Sequence, residues 1–489
     1  MKTWGISANS HDAAIAIFDN TKLEYAGHSE RYSRIKNDGD LSCNMVSSLI
    51  EEFGYPDKIV WYEKPLLKTM RQIYAGQGFN IADNYIKGYL NAFGLDSKIE
   101  YSGHHRSHAA AGYFTSNFDD ACVVVIDAIG EFDTLTIWKA SGNKLEQKYS
   151  MKYPDSIGLW YSAMTQRIGL KPNEEEYILM GRAALGDPNR LFILMLQDFV
   201  HFTNDGLFKF KQNFHRGCRN WRPLLTSEVD YNDIAAATQA VYEHLFRLIL
   251  KKAASIAKSD NLVLMGGCAL NCVANPITYK YFNDVWIMPN PGDAGSSIGA
   301  VLSQRNEHIK WQGPYLGHNM GYTDFNSDIV DYISKYSFAG LARGKAEFGP
   351  RALGNRSLLG DPRIADIKDK MNVIKRRESF RPFAPAILAE HANELFDMPC
   401  EFTPYMQYTV RCRYPEKYPG IVHVDGTSRV QTVTHDDNPM FRNLLEIWYK
   451  KTGCPMLVNT SLNIKGEPIV NTHTDADRWQ LKYQVKVFR

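Results

Sequence analysis

Residues 121–150 read ACVVVIDAIGEFDTLTIWKASGNKLEQKYS, and this stretch decides the fold class. Ala121 to Ile126 is a continuous apolar run rich in Val, the pattern of a buried strand. Asp127 to Asp133 is a polar, Gly-containing turn, and Thr134 to Lys139 is a second strand. Ser141-Gly142-Asn143 turns again, and Leu145 to Ser150 is a third strand. The chain opens in the same order. Thr3 to Ala8, Ala13 to Phe18 and Leu23 to His28 read as strands, separated by the turns Asn9-Ser10-His11-Asp12 and Asp19-Asn20. Helical and strand-like stretches then alternate over Asn44 to Phe53, Lys58 to Tyr62, Ile81 to Phe93, Ile99 to Ser102 and His108 to Thr115. Two three-stranded meanders, each followed by helix and strand, are a repeat of architecture and not of residues. The repeat predicts two related lobes with a cleft between them.

The second lobe continues through a helix over Asp233 to Ala257 and a strand over Leu262 to Met265 that ends in Gly266-Gly267. A further strand, Val285 to Met288, ends in Pro289-Asn290-Pro291-Gly292-Asp293, and Ala294 to Gln304 reads as a helix. From Phe348 the texture changes to dense Arg, Pro and Asn motifs. A domain boundary is therefore expected near Ala342, giving domains over 1–341 and 342–489.

Composition narrows the class. The 489 residues fit two or three domains, and 44% hydrophobic with 22% charged residues is ordinary for a soluble globular protein. A net charge of +2 gives no bulk field for nucleic acid. No apolar run is long enough to span a bilayer, and Met1-Lys2-Thr3-Trp4-Gly5 lacks a signal-peptide layout. The eight cysteines show no Cys-x-x-Cys pair and no framework, so reduced thiols and a cytoplasmic location are expected.

Several motifs carry chemistry. His104-x-x-x-His108 on a helix places two imidazoles one turn apart, a spacing that can chelate a divalent ion; a core or capping role is the competing reading. Asp127 and Asp293 each follow an apolar strand, where open α/β sheets place ligand chemistry, although either can be a turn cap. Two histidines and two aspartates suit Fe, Mn or Zn better than a pure Mg site. Gly266-Gly267-Cys268-Ala269-Leu270-Asn271 reads as a strand-to-helix turn whose N–H groups suit phosphate, with a plain tight turn equally compatible.

The densest motifs lie in the C-terminal third. They are Phe348-Gly349-Pro350-Arg351-Ala352-Leu353-Gly354-Asn355-Arg356-Ser357, Lys375-Arg376-Arg377-Glu378-Ser379-Phe380-Arg381-Pro382-Phe383, His423-Val424-Asp425-Gly426-Thr427-Ser428-Arg429 and Asn459-Thr460-Ser461-Leu462-Asn463. Their cations alternate with Pro, Phe and Gly, which favours an oxyanion pocket over a solvated basic face.

Together these segments resemble the NodU/CmcH-type O-carbamoyltransferases. The match runs in order over nearly the whole chain. It also takes in Gly5-Ile6-Ser7-Ala8, His11-Asp12, Ser29-Glu30-Arg31-Tyr32-Ser33-Arg34, Lys36 and Gly466-Glu467-Pro468-Ile469-Val470. The resemblance implies an α/β and α+β protein. Its first domain is two-lobed, of the actin/hexokinase/Hsp70-like (ribonuclease H-like) type, and a YrdC-like α/β domain follows. It implies that carbamoyl phosphate and ATP are substrates, that carbamoyl-adenylate forms in the C-terminal domain, and that an acceptor hydroxyl attacks it in the N-terminal domain. Carried over residue by residue, His104, His108, Asp127 and Asp293 become ligands of one divalent metal (Fe, Mn or Mg), and His11 the general base. Gly266, Gly267, Asn271 and Lys36 fall at the adenylate. Arg351, Asn355, Arg356, Ser357, Lys375, Arg377, Arg381, His423, Arg429, Asn459 and Ser461 fall at carbamoyl phosphate and ATP. The C-terminal tail of such enzymes can return to the first domain; here Trp479 to Arg489 departs from the usual apolar segment.

Two other readings compete. A sugar kinase on the same two-lobed fold would need no Arg-rich C-terminal third, and a non-catalytic binding protein would need no His11 beside the His/Asp set. The acceptor stays open between a sugar or antibiotic-type small molecule and a hydroxymethylated pyrimidine nucleotide or DNA. Loops over 62–80 and 186–221 are expected to shape its site. The second carries Lys209, Lys211, His215, Arg216 and Arg219 among aromatics, with Arg222 next to it; a plain surface reading is equally compatible. No membrane partner is expected, and a homodimer is compatible with the sequence.

Overall fold

The computed structural model describes residues 1–78 and 84–489. The chain divides into two compact units. One comprises residues 1–33 and 37–311, and the other residues 34–36 and 312–489. The division falls between Trp311 and Gln312, earlier than the Ala342 read from motif texture. The intervening segment supplies a strand, Tyr315–Asn319, that pairs with Lys345–Glu347, and a helix, Asn326–Tyr336, that packs on the second unit's sheet.

The first unit contains two five-stranded sheets. Strands β1 (Lys2–Ser7), β2 (Ala14–Asp19), β3 (Lys22–His28), β4 (Lys58–Trp61) and β5 (Lys98–Tyr101) lie in the order β3-β2-β1-β4-β5. Strands β6 (Asp120–Gly130), β7 (Asp133–Ser141) and β8 (Lys144–Lys152) form the second meander. After a short hairpin, β9 (Val200–Phe202) with β10 (Phe208–Phe210), strands β11 (Asn261–Met265) and β12 (Asp284–Trp286) complete the sheet in the order β12-β11-β6-β7-β8. The two sheets have the same layout. An antiparallel meander leads, and its first strand takes parallel neighbours on the other side, β4 beside β1 and β11 beside β6. The repeat of architecture is therefore real, and each central strand is buried.

Between the sheets lies a helix, His104–Thr115, whose Ala109-Ala110-Ala111 run is fully buried. It packs on the helix Ser296–Arg305. The approach needs Gly299, where a Cβ would stand 1.8 Å from the Ser107 carbonyl.

Three sequence readings are revised. The helix read over 81–93 is described over Ile86–Asn91, and its first three residues lie outside the described residues. The stretch 62–80, read as a loop, carries the helix Pro65–Tyr74. The stretch 186–221, also read as a loop, carries the helix Phe192–Phe199 and the β9–β10 hairpin; Arg222 pairs with Asp198 at 3.0 Å, and Lys211 donates to the Gln197 carbonyl.

The second unit is a mixed six-stranded α/β sheet. Strand β13 (Tyr315–Asn319) pairs outside it with β15 (Lys345–Glu347), and β18 (Thr409–Arg411) pairs with β19 (Thr427–Arg429). The sheet itself runs β20 (Gln431–Val433), β17 (Ala384–Leu388), β21 (Met456–Ser461), β16 (Arg356–Gly360), β14 (Phe338–Ala342) and β22 (Val487–Phe488). The tail ends in this unit's own sheet, β22 running parallel to β14. Among the described residues, no helix is long and apolar enough to cross a membrane.

Candidate metal centre and anion-binding motifs

The central strands of the first unit deliver acidic and imidazole groups at their carboxyl ends, where open α/β sheets place ligand chemistry. β6 pairs regularly with β7 up to Ile126, and the register then shifts before Gly130. That irregularity frees Asp127 from the ladder and leaves it buried, next to the first turn of the His104–Thr115 helix. Asp293 follows β12 and the Pro-rich turn and begins the short 3₁₀ turn Asp293–Gly295.

The four predicted ligands converge. His104 Nε2 lies 3.2 Å from Asp127 Oδ2, 3.3 Å from Asp293 Oδ1 and 3.2 Å from His108 Nε2. His108 Nε2 is 3.2 Å from Asp293 Oδ1 and 4.0 Å from Asp127 Oδ2. His105 turns away to the Thr136 hydroxyl at 2.9 Å. All four groups are buried, and their ligand atoms lie within 4.8 Å of one another. Donors each about 2.1 Å from a shared ion stand roughly 3–4 Å apart, so the spacing fits one cation.

The tautomers fit as well. His108 Nδ1 donates to the Pro291 carbonyl at 3.1 Å, which leaves a lone pair on Nε2. Two imidazole nitrogens and two carboxylates facing one point repel one another unless a proton or a cation lies between them. Burial lowers the His104 pKa, but the charge of Asp293 and the hydrogen bonds with Asp127 and Asp293 win and hold it well above the usual value. Burial raises the Asp293 carboxyl, but the charges of His104 and His11 outweigh this and hold it well below the usual range. The cluster can therefore hold a metal ion, and its donor set does not single out one element.

His11 lies on the turn between β1 and β2. Asn9 and Asp12 bracket it in left-handed conformations, φ 62° and 56°. Its Nε2 is 3.8 Å from Asp293 Oδ2, its Nδ1 is 3.1 Å from Asp12 Oδ2, and 44% of its side chain is open to solvent. It is thus the accessible imidazole beside a buried cluster. Burial lowers its pKa, while Asp293 and Asp12 raise it, to about 10.

The Gly266-Gly267 turn departs from expectation. Gly266 has φ +90°, and a Cβ there would stand 2.2 Å from the Ile126 carbonyl, so this position requires glycine. The next residues form a 3₁₀ turn, Gly267–Leu270, and not an α-helix, so no helix macrodipole stands behind it. Gly267 N–H donates to Asp127 Oδ1 at 3.2 Å and holds a ligand carboxylate. The Asn271 amide is locked in a reciprocal pair with Gln239, at 3.0 and 3.1 Å. Lys36 falls in the second unit, where nearby Arg34 donates to the Ile469 and Pro468 carbonyls at 2.7 and 2.9 Å.

In the second unit, adjacent strands gather the C-terminal motifs. β16 and β21 set Ser357 opposite Ser461, and Asn459 is flanked by Leu359 and Ala384. Lys375 is buried, and its Nζ donates to the carbonyls of Ser461 and Asn463. Burial and the charges of Arg377 and Arg381 push its pKa well below the usual amine value. Arg377 stacks over Phe383 at 4.1 Å, and Arg381 pairs with Glu378 at 3.6 Å. Within these motifs, Arg429 Nε, His423 Nε2 and Asn459 Oδ1 are buried with no hydrogen-bond partner among the described residues. Arg351, in the Phe348–Ser357 motif, is partly buried.

Arg356 is different. It is fully buried, and its guanidinium donates to the carbonyls of Asn471, Arg343, Asn355, His318 and Gly344. These bonds to backbone make it a builder of the fold around the motif. Asn355 is likewise engaged, with Lys345, Glu347 and Asn438, and Ser357 Oγ accepts from Gly354 N–H. Sequence reading missed the organiser here. Glu347 Oε1 accepts from the N–H groups of Leu353, Asn355 and Arg356. It also missed Glu63, two residues past β4, whose only sequence signal is a carboxylate beyond the end of an apolar strand.

Comparison with known proteins agrees with this layout. Residues 62–302 match the carbamoyltransferase N-terminus family and residues 330–488 the carbamoyltransferase C-terminus family. Nodulation protein U of Bradyrhizobium diazoefficiens is 32% identical, covering 98% of this chain and 95% of that protein. Nodulation protein NolNO of Sinorhizobium fredii is 30% identical over 95% of this chain and 76% of that protein. A 3'-hydroxymethylcephem-O-carbamoyltransferase of Amycolatopsis lactamdurans is 28% identical over 95% of this chain and 94% of that protein. Among solved structures, a ROK hexokinase from Thermus thermophilus aligns with 62% of this chain and 98% of its own at 14% identity, with a TM-score of 0.30. With paired N- and C-terminal family matches and relatives of this similarity over nearly its full length, the chain belongs to the NodU/CmcH-type carbamoyltransferase family and is a carbamoyltransferase.

Proposed function

We propose that the chain is an ATP-dependent O-carbamoyltransferase working in two steps, with the second unit acting as a YrdC-like activating domain. In the first step carbamoyl phosphate loses phosphate to water. The resulting carbamate oxygen attacks the α-phosphorus of ATP, and pyrophosphate leaves. The product, carbamoyl-adenylate, is a mixed anhydride. In the second step an acceptor hydroxyl attacks its carbonyl carbon, the hydroxyl proton passes to His11, and AMP leaves. Carbamate decomposes in water, so activation belongs in an enclosed site.

The observation that carries this reading is the buried His104/His108/Asp127/Asp293 cluster with the half-open His11 beside it. A divalent ion held by those four residues would take up carboxylate charge and polarise an oxygen of the carbamoyl-adenylate. Against the lowering effect of burial, the charge of Asp293 raises the His11 pKa in the ion-free chain; an ion that takes up that charge would lower it and leave the ring neutral, so that His11 can act as the base for an incoming hydroxyl. Asp12, on Nδ1, orients the ring so that Nε2 is the atom that receives the proton. In the second unit, the buried unpartnered atoms of Arg429, His423 and Asn459, with Lys375 bonded to Ser461 two residues beyond Asn459, support an oxyanion pocket for carbamoyl phosphate and ATP.

The test is a two-stage assay with labelled carbamoyl phosphate and ATP. Without acceptor, phosphate and pyrophosphate should appear and the adenylate be trapped. A panel of sugars, aminoglycosides, hydroxymethyl nucleotides and DNA then identifies the molecule that takes the label and releases AMP. Label transfer without ATP would sink the adenylate.

A further inference from the structure

Glu63 and Lys68 are 4% and 7% exposed, and neither has a role in the two-step reaction. Lys68 sits on the helix Pro65–Tyr74, which turns Lys68, Thr69 and Arg71 inward and leaves Leu66 and Met70 exposed. Ordinary amphipathic packing would do the reverse. Lys68 Nζ donates to Glu63 Oε1 at 2.6 Å and to the Asn9 carbonyl at 2.8 Å. The other carboxylate oxygen of Glu63 lies 3.7 Å from His104 Nδ1. That nitrogen is buried and has no hydrogen-bond partner among the described residues. A buried ion pair is weak grounds for stability, since apolar residues of the same shape often do as well. Its placement is more informative. His104 gives the cluster its Nε2, so as a ligand it carries its proton on Nδ1, facing Glu63. On the other side, Asn9 stands two residues before His11 on the left-handed turn.

We propose that Glu63 and Lys68 are positioning residues of the transfer site: Glu63 fixes the tautomer and ring orientation of the metal ligand His104, and Lys68 ties that carboxylate to the turn that carries His11. The pair links the ligand set to the base through three contacts. The proposal rests on the reading of the His/Asp cluster as a metal site.

The experiment uses the full-length chain, stripped of metal by chelator and titrated with Co(II). It follows the visible d–d absorption, the dissociation constant by chelator competition, and the melting of the metal-free chain. Glu63→Gln should weaken Co(II) binding by roughly 10–100-fold and shift the absorption band, as loss of an outer partner of a ligand histidine does. Glu63→Asp should restore part of both. Lys68→Met should leave the first reaction step unchanged and lower the maximal transfer rate with the acceptor KM unchanged. A folded Glu63→Gln chain with the wild-type band and affinity overturns the proposal. If that variant does not fold, Glu63→Asp decides, and an unchanged band overturns it. A wild-type chain that does not bind Co(II) is the failure of the metal reading itself and removes this proposal with it.

Discussion

The Nε2 atoms of His104 and His108 face each other at 3.2 Å, both buried, with Asp127 and Asp293 closing the set. Two acceptor lone pairs at that separation need a positive charge between them. In the ion-free chain the raised pKa of His104 supplies a proton; a metal ion would replace it.

Metal retention is the first expectation. The purified chain, loaded and dialysed, should retain one divalent ion, read by elemental analysis. His108→Ala should cost more than the roughly 10–100-fold in affinity that loss of an outer partner causes. Retention of the ion by that variant would place the metal elsewhere.

Metal binding should also release protons. In the ion-free cluster, against the lowering effect of burial, Asp293 and Asp127 hold the His104 pKa well above its usual value, which favours a proton on the ring that coordination must displace. Affinity should therefore rise with pH, by about tenfold per unit while one proton is displaced. Calorimetry in two buffers of different ionisation enthalpy reads the proton count, and a buffer-independent heat would contradict it.

His11→Asn should abolish transfer to acceptor and leave pyrophosphate release intact, because His11 touches the cluster through Asp293 and is not one of the four ligands. Loss of both steps would remove its role as base.

Arg356 and Arg429 should separate cleanly. Arg356→Ala strips donors from four buried carbonyls, each worth about 1–3 kcal/mol when left unsatisfied, and from the part-buried His318 carbonyl, so it should unfold or strongly destabilise the second unit. Arg429→Met, at a side chain whose Nε has no hydrogen-bond partner among the described residues, should keep the melting temperature and lose the first step. Melting curves beside pyrophosphate release check both. A stable Arg356→Ala chain without pyrophosphate release would return that residue to the ligand site.

Much of the first unit was legible. The Val-rich run ending at Asp127, its counterpart at the start of the chain, and the i, i+4 histidines are local patterns, and local patterns set strand order and place ligands at strand ends. Glu63 and Lys68 were not legible, because an inward-facing lysine on an outward-apolar helix contradicts the usual polarity of a surface helix. Nor does an arginine in a Gly- and Asn-rich motif reveal what its N–H groups meet. Arg356 is consumed by carbonyls as distant as Asn471, a matter of tertiary packing alone. The Gly266-Gly267 turn read as a helix start because strand-turn-helix is the common continuation, and the chain makes one 3₁₀ turn there instead.

The hydrogen bond from Lys68 to the Asn9 carbonyl has a consequence for how this enzyme can drift over generations. The acceptor is an atom that every amino acid possesses. For this contact position 9 supplies only its left-handed backbone, which Asn or Gly can adopt, while the demand on side-chain identity falls on position 68. A survey of natural variants that weighed residues by their side chains would pass over one end of this contact and find only the other.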